Sequence, residues 1–157
     1  MDKYKINIIC HIIMKIKFEE NIVPGDGNCL FRSLGIAFKI PHNQLRIAIA
    51  QYLEKNKRRK FNGLALEEWV KMETDMDVER YCRYIRDDGI WGGNMEINVA
   101  SKMFKVNIFV LSRNNEKNKY DMISSYVFDN NARNVFLVYD GVHYNYLKVK
   151  GDIGIKT

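Results

Sequence analysis

Apolar positions recur at helical spacing through the first two thirds of the chain and give way to strand-like runs in the last third. An Ile-rich run, Ile6 to Met14, comes first. Asn7 and His11 interrupt it, no small-residue cleavage site follows, and Lys15 to Glu20 is charged, so it reads as an added strand or short helix rather than a signal peptide. It is also too short to cross a bilayer. Val23 to Asn28 holds a proline, two glycines, an aspartate and an asparagine, which is loop chemistry, and an apolar helix-like stretch runs from Cys29 to Phe38. Cys29 thus stands where a helix begins. A second helix is expected over Asn43 to Arg59, with Leu45, Ile49, Tyr52 and Leu53 on one face, and helical patterning resumes from Leu64 to Asp88. Asp87 to Gly93 is a loop, and Gly93 followed by Glu96 marks a helix start leading into Met95 to Phe104.

Val106 to Leu111 has the β-branched, apolar content of a buried strand, closed by a polar loop from Ser112 to Lys119. Two further strand-like runs, Asn134 to Tyr139 and Val142 to Val149, flank Asp140-Gly141, a dipeptide favoured by two-residue hairpin turns. The class is therefore α+β, helices packed on a small sheet, with no sign of parallel winding.

Composition narrows this picture. With 157 residues, 46% of them hydrophobic and 28% charged, and only 2 prolines, the chain suits one compact domain and excludes disorder. The net charge of +6 permits an anionic partner without demanding one. The basic run Lys55 to Lys60 reads as a solvated helix end, because cations favour a helix C-terminus; a nucleic-acid partner is not expected, since no aromatics interleave with the charges. Three cysteines are too few and too odd a set for a secreted disulfide framework, so a reducing, cytoplasmic setting is expected and any special cysteine is a thiol.

Cys29 is the first candidate for chemistry. A thiol at a helix N-terminus feels unpaired N–H groups and the positive dipole end, both favouring thiolate. Gly25 and Gly27 would give the preceding loop unusual dihedrals and turn its N–H groups, with that of Cys29, toward a substrate carbonyl. The alternative is a buried structural cysteine behind a capping turn. In the last strand, alternation places His143 and Asn145 on one face, about 6.5 Å apart along the strand, close enough for the amide to orient the imidazole. Nucleophile, base and orienter would then follow in the order Cys29, His143, Asn145; the alternative is a surface histidine beside a turn. His11 and His42 have no comparable setting, Cys10-His11 lacks the further ligands of a metal site, and no cofactor is expected.

The segment Val23-Pro24-Gly25-Asp26-Gly27-Asn28-Cys29-Leu30-Phe31-Arg32-Ser33-Leu34 closely resembles the nucleophile motif of the ovarian-tumour (OTU) cysteine protease family. Trp91-Gly92-Gly93 with Glu96-Ile97 resembles that family's mid-domain segment, and Gly141-Val142-His143-Tyr144-Asn145 its histidine motif, in the same order. The resemblance implies a papain-type fold with a mostly antiparallel sheet over residues 18–150, preceded by an extension at 1–17 and followed by a tail at 151–157. It implies hydrolysis of the bond joining ubiquitin, or a ubiquitin-like modifier, to lysine, with Cys29 as nucleophile and His143 as base and then acid. Asn145 takes the orienting place where many members carry aspartate. Asp26 matches the motif's aspartate, its implied part being loop geometry for the oxyanion-binding segment Gly25, Asp26, Gly27, Asn28 and Cys29, with a direct polar role left open. Asp87, Asp88, Trp91 and Gly92 would lie along the channel for the modifier's tail, although the two aspartates are equally readable as solvated loop carboxylates. A non-catalytic ubiquitin-binding module of the same fold is the rival reading. A single domain rich in Lys, Asn and Ile is also compatible with a pathogen or virus acting on host ubiquitin signals.

Overall fold

A computed structural model of the chain describes residues 3–151 and 154–157. Among them, six helices and seven strands follow in the order α1 (Lys3–Ile13), β1 (Lys17–Asn21), α2 (Cys29–Phe38), α3 (His42–Lys55), β2 (Lys60–Phe61), β3 (Leu64–Ala65), α4 (Leu66–Thr74), α5 (Val78–Ile85), α6 (Asn94–Phe104), β4 (Asn107–Asn114), β5 (Lys119–Tyr126), β6 (Asn134–Tyr139) and β7 (Tyr144–Lys150). The main sheet runs β1-β7-β6-β4-β5. Three of its pairings are antiparallel, but β4 and β6 lie parallel, which the pattern of residues does not indicate. Strand β5 folds back along one side of β4, and the chain then crosses to the other side before β6 begins.

Alternation along β4 and β6 explains their unbroken apolar runs. Ile108, Val110, Val135 and Leu137 join the main core beneath α2 to α6, while Phe109, Leu111, Phe136 and Val138 join a second cluster on the opposite face. The second cluster takes in Ile13 of α1 and is flanked by Ile9, Phe18 and Ile155. The Ile-rich run is thus a helix that covers the sheet, and the end of the chain packs there too, with Asn134 donating to the Lys156 carbonyl at 2.8 Å. On the other face, Leu30, Phe31 and Leu34 of α2 are fully buried, each worth about 1.5–3 kcal/mol of burial.

Several elements differ from their sequence expectation. The stretch from Leu64 to Asp88 contains two helices: Asp75 takes a left-handed backbone (φ 58°) to end α4, and Asp77 caps α5 by accepting from Arg80 N–H at 2.7 Å. Helix α3 stops at Lys55, so the basic run divides between a helix end, a turn and β2, with Lys57 paired to Glu79 at 2.6 Å. The polar loop after β4 shrinks to residues 115–118, since β4 extends to Asn114 and β5 starts at Lys119. Strands β6 and β7 do form a hairpin, but Tyr139 faces Tyr144 across a four-residue loop, not a two-residue turn. The reason is Asp140, whose carboxylate accepts the N–H groups of Val142 (3.0 Å) and His143 (2.8 Å) and so winds the loop one step further.

Candidate active site

Helix α2 begins at Cys29, and the loop before it is held from three directions. Asp26 accepts the Asn28 N–H at 3.1 Å and pairs with Arg32, one turn into the helix, at 2.6 Å. That guanidinium holds the Asp26 carboxyl far below the usual carboxylate range. Gly27 has φ +82°, and a Cβ there would stand 2.2 Å from the Gly89 carbonyl oxygen, so glycine is required for both backbone shape and close approach. Gly25 lacks such a backbone; its bare Cα lies instead against the His143 ring, where an added Cβ would be 3.7 Å from Nδ1. Of the two glycines expected to supply unusual dihedrals, only Gly27 does.

Asn28 stands at the N-cap position yet makes no capping bond to α2. Its buried side chain turns away: Oδ1 accepts from Arg46 Nη2 at 2.6 Å and from Gly89 N–H at 3.0 Å. Arg46 is only 1% exposed; it also donates to the Ile85 carbonyl at 2.8 Å and lies 4.0 Å over the Phe31 ring. Two consequences follow. The Asn28 side chain does not cap the first turn of α2 beside the half-buried Cys29, and the Asn28 N–H, committed to Asp26, is taken out of the expected oxyanion set. Arg46 has a trace in the sequence: it is a charge set on the apolar stripe of α3, three residues before Ile49 and seven before Leu53.

His143 is the last residue of the loop before β7. Its Nε2 lies 2.8 Å from Asn145 Oδ1. Asn145, 6% exposed, has its amide sense fixed, because Oδ1 also accepts the Val23 N–H at 3.0 Å while Nδ2 donates to Glu20 at 2.9 Å. With a carbonyl facing it, Nε2 carries the proton of the neutral ring and Nδ1 keeps a lone pair on the side of Gly25. The helix and this strand are tied directly, Ser33 Oγ donating to the Tyr144 carbonyl at 3.3 Å.

Between the helix start and the histidine loop lies a cleft of about 240 Å³, lined by Cys29, Trp91, Gly92, Tyr139, Val142 and Tyr144, among others. Trp91 (64% exposed) and Val142 (62%) form its apolar rim. Gly92 also allows close packing, since a Cβ there would meet Leu30 at 2.8 Å. Asp87 and Asp88 are exposed on the turn after α5 and do not line the cleft; the neighbouring Gly89 holds the loop before Cys29 through its backbone. A larger cavity of about 470 Å³, bounded by Trp69, Glu73, Lys102 and Tyr126, holds neither cysteine nor histidine. Among the described residues, no three His, Cys, Asp or Glu side chains gather as a metal site, and no helix is long and apolar enough to cross a membrane.

The chain matches the family described as "OTU-like cysteine protease" over residues 24–147. It is 36% identical over 134 residues to the ovarian tumor domain-containing deubiquitinating enzyme 7 of Arabidopsis thaliana, and 29% identical over 137 residues to the ubiquitin thioesterase OTU1 of Danio rerio. Each alignment takes in 83% of this chain but only 32% and 41% of those longer proteins. The Hazara virus OTU solved bound to ubiquitin shares the fold, with a TM-score of 0.70 at 19% identity over 89% of this chain and 86% of that one. Motif order, fold and sequence relatives agree: the chain belongs to the family of OTU-like cysteine proteases.

Proposed function

We propose that the chain is a cysteine-type deubiquitinase that hydrolyses the isopeptide bond between ubiquitin, or a ubiquitin-like modifier, and lysine through Cys29, His143 and Asn145. One observation carries this reading: Asn145 holds the His143 ring by Nε2, leaving the basic Nδ1 beside the loop that leads into Cys29. The relatives named as a deubiquitinating enzyme and a ubiquitin thioesterase, and the viral domain bound to ubiquitin, supply the substrate class.

The Cys29 thiol passes its proton to Nδ1, and the thiolate attacks the isopeptide carbonyl carbon. N–H groups at the start of α2 and in the loop before it hold the oxyanion. The C–N bond breaks as the imidazolium returns the proton to the leaving lysine amine. Water, losing its proton to Nδ1, then cleaves the thioester and restores the thiol. Trp91 and Gly92 line the passage for the modifier's tail, and Asp87 and Asp88 meet its basic residues upstream. An electrophilic ubiquitin probe and a panel of ubiquitin dimers test the reading. The wild type is expected to label and cleave, and Cys29→Ala to do neither while still binding ubiquitin. Retained cleavage in that variant, or ubiquitin binding without labelling by the wild type, would overturn it, the second outcome pointing to a binding module.

A further inference from the structure

The group that orients His143 is a neutral amide, yet a carboxylate stands directly behind it. Glu20, the fourth residue of β1, is brought beside β7 by the register that sets Glu20 opposite Leu147. Its Oε1 accepts from Asn145 Nδ2 at 2.9 Å, and both of its oxygens are engaged by Arg113 of β4, with Nε donating to Oε2 at 3.1 Å and Nη2 to Oε1. Four side chains from β4, β1, β7 and the histidine loop therefore form one line: Arg113, Glu20, Asn145, His143.

Each link has a defined direction. A guanidinium only donates and an ionised carboxylate only accepts, so the Glu20 oxygen must meet the NH2 end of Asn145. The Val23 N–H, which can only donate, demands the carbonyl at the other end. A reversed amide would oppose donor to donor at Val23 and acceptor to acceptor at Glu20. The imidazole then has one acceptable tautomer, with Nε2 protonated and Nδ1 free. Glu20 is tucked in, its side chain 19% exposed, and the bidentate Arg113 leaves it little freedom to turn away.

We propose that Glu20, braced by Arg113, is a positioning residue for the triad: it locks the Asn145 amide so that the carbonyl faces His143, and supplies at one remove the negative charge that the amide lacks. This rests on the proposed function, in which His143 is the base. The work one aspartate could do is divided, Asn145 providing the acceptor and Glu20 the charge. The other charged groups nearest the imidazole are Asp140 in its own loop, Arg113 from β4 and the Cys29 thiolate when formed at the start of α2.

The test compares Glu20→Ala, Glu20→Gln and Arg113→Gln in the full chain, using ubiquitin with a C-terminal fluorogenic amide across pH, together with nitrogen NMR of the His143 ring. Glu20→Ala is expected to lower kcat about tenfold with KM changed less than about twofold, and to mix the two ring tautomers. Glu20→Gln keeps an acceptor for Nδ2, so the single tautomer and most of kcat return, but the alkaline limb of kcat/KM moves to lower pH because the charge is gone. Arg113→Gln, which leaves the carboxylate uncompensated, moves that limb to higher pH. Wild-type kcat, an unmoved alkaline limb and one tautomer in Glu20→Ala would overturn the proposal while leaving the hydrolase reading intact. Should the wild type fail to react with ubiquitin, the hydrolase reading falls, and the ring tautomer in Glu20→Ala still decides whether Glu20 positions His143.

Discussion

On the cysteine side of the cleft, the chain is fixed by burial and backbone: Asn28 and Arg46 are 2% and 1% exposed, and Gly27 sits against the Gly89 carbonyl with no room for a side chain. On the histidine side, Gly141 and Val142 are exposed, and position is fixed by polar side chains, Asp140 gathering the loop and the line from Arg113 to Asn145 gripping the ring. The contrast fits the chemistry proposed for each side. A thiolate and an oxyanion need preorganised donors that cost no reorganisation, which the N–H groups of packed backbone supply. A ring that takes up and gives back protons in every turnover needs a fixed orientation but also a charge environment, which side chains near water provide. Damage to the first side should therefore appear as lost stability or lost geometry, and damage to the second as lost rate in an intact fold.

His143→Ala tests that contrast most directly. The ring is half-buried, so its loss should leave the melting temperature within about 2 °C, yet lower kcat about a thousandfold or more. Asn145→Ala should cost less rate than His143→Ala, because water or neighbours partly replace an orienter. It should also cost about 1–3 kcal/mol of stability, since the Val23 N–H loses its acceptor and Glu20 one of its donors. Stopped-flow or steady-state kinetics beside urea unfolding separate these terms. Equal rate losses in the two variants would give Asn145 a larger part than orientation.

Arg46→Ala is the counterpart on the cysteine side. It removes a donor from Asn28 and one from the Ile85 carbonyl and empties the space over Phe31, for an expected loss of about 2–4 kcal/mol. Urea midpoints measure it, and an unchanged midpoint would mean that the buried guanidinium does not hold the two loops together. Gly27→Ala probes geometry alone. The left-handed backbone and the contact with Gly89 force the loop to move by a fraction of an ångström or more, which should lower kcat about a hundredfold while ubiquitin binding persists.

The same contrast explains what the sequence discloses. The Gly25 to Cys29 loop, α2 and the Gly93 helix start are local events, and their chemistry is written in adjacent residues: Glu96 does reach back to the Gly93 N–H, at 2.6 Å. Two hairpins show the limit of such reading. Asn62-Gly63 makes a two-residue turn with φ of 52° and 81°, whereas Asp140-Gly141 does not, because the Asp140 carboxylate finds two N–H groups further along and lengthens the loop. Asp75 hides the break between α4 and α5, since an aspartate in a left-handed conformation lacks the obvious signal of glycine or proline. Glu20 looks like one more charge in a charged stretch; only the pairing of β1 with β7 brings it to Asn145. Residues whose partners lie far along the chain are the ones a linear reading passes over.

Asp26 should matter least, since it makes an exposed polar contact on the cysteine side. Its carboxyl is held below the usual range chiefly by the Arg32 bond, so folding favours the ionised form. The contribution is complete above the pKa of an unfolded aspartate, about 3.9, and is lost as the pH falls through the lower folded value. Solvent screening keeps it small. Asp26→Asn should therefore lower the urea midpoint slightly at pH 7, and the gap to wild type should close as both are titrated downward from about pH 4. The Asn28 N–H can still bond an amide oxygen, so kcat should fall only a few-fold. A gap that widens toward acid pH would mean that the Asp26–Arg32 pair destabilises the folded loop, and would remove Asp26 from the forces that shape the approach to Cys29.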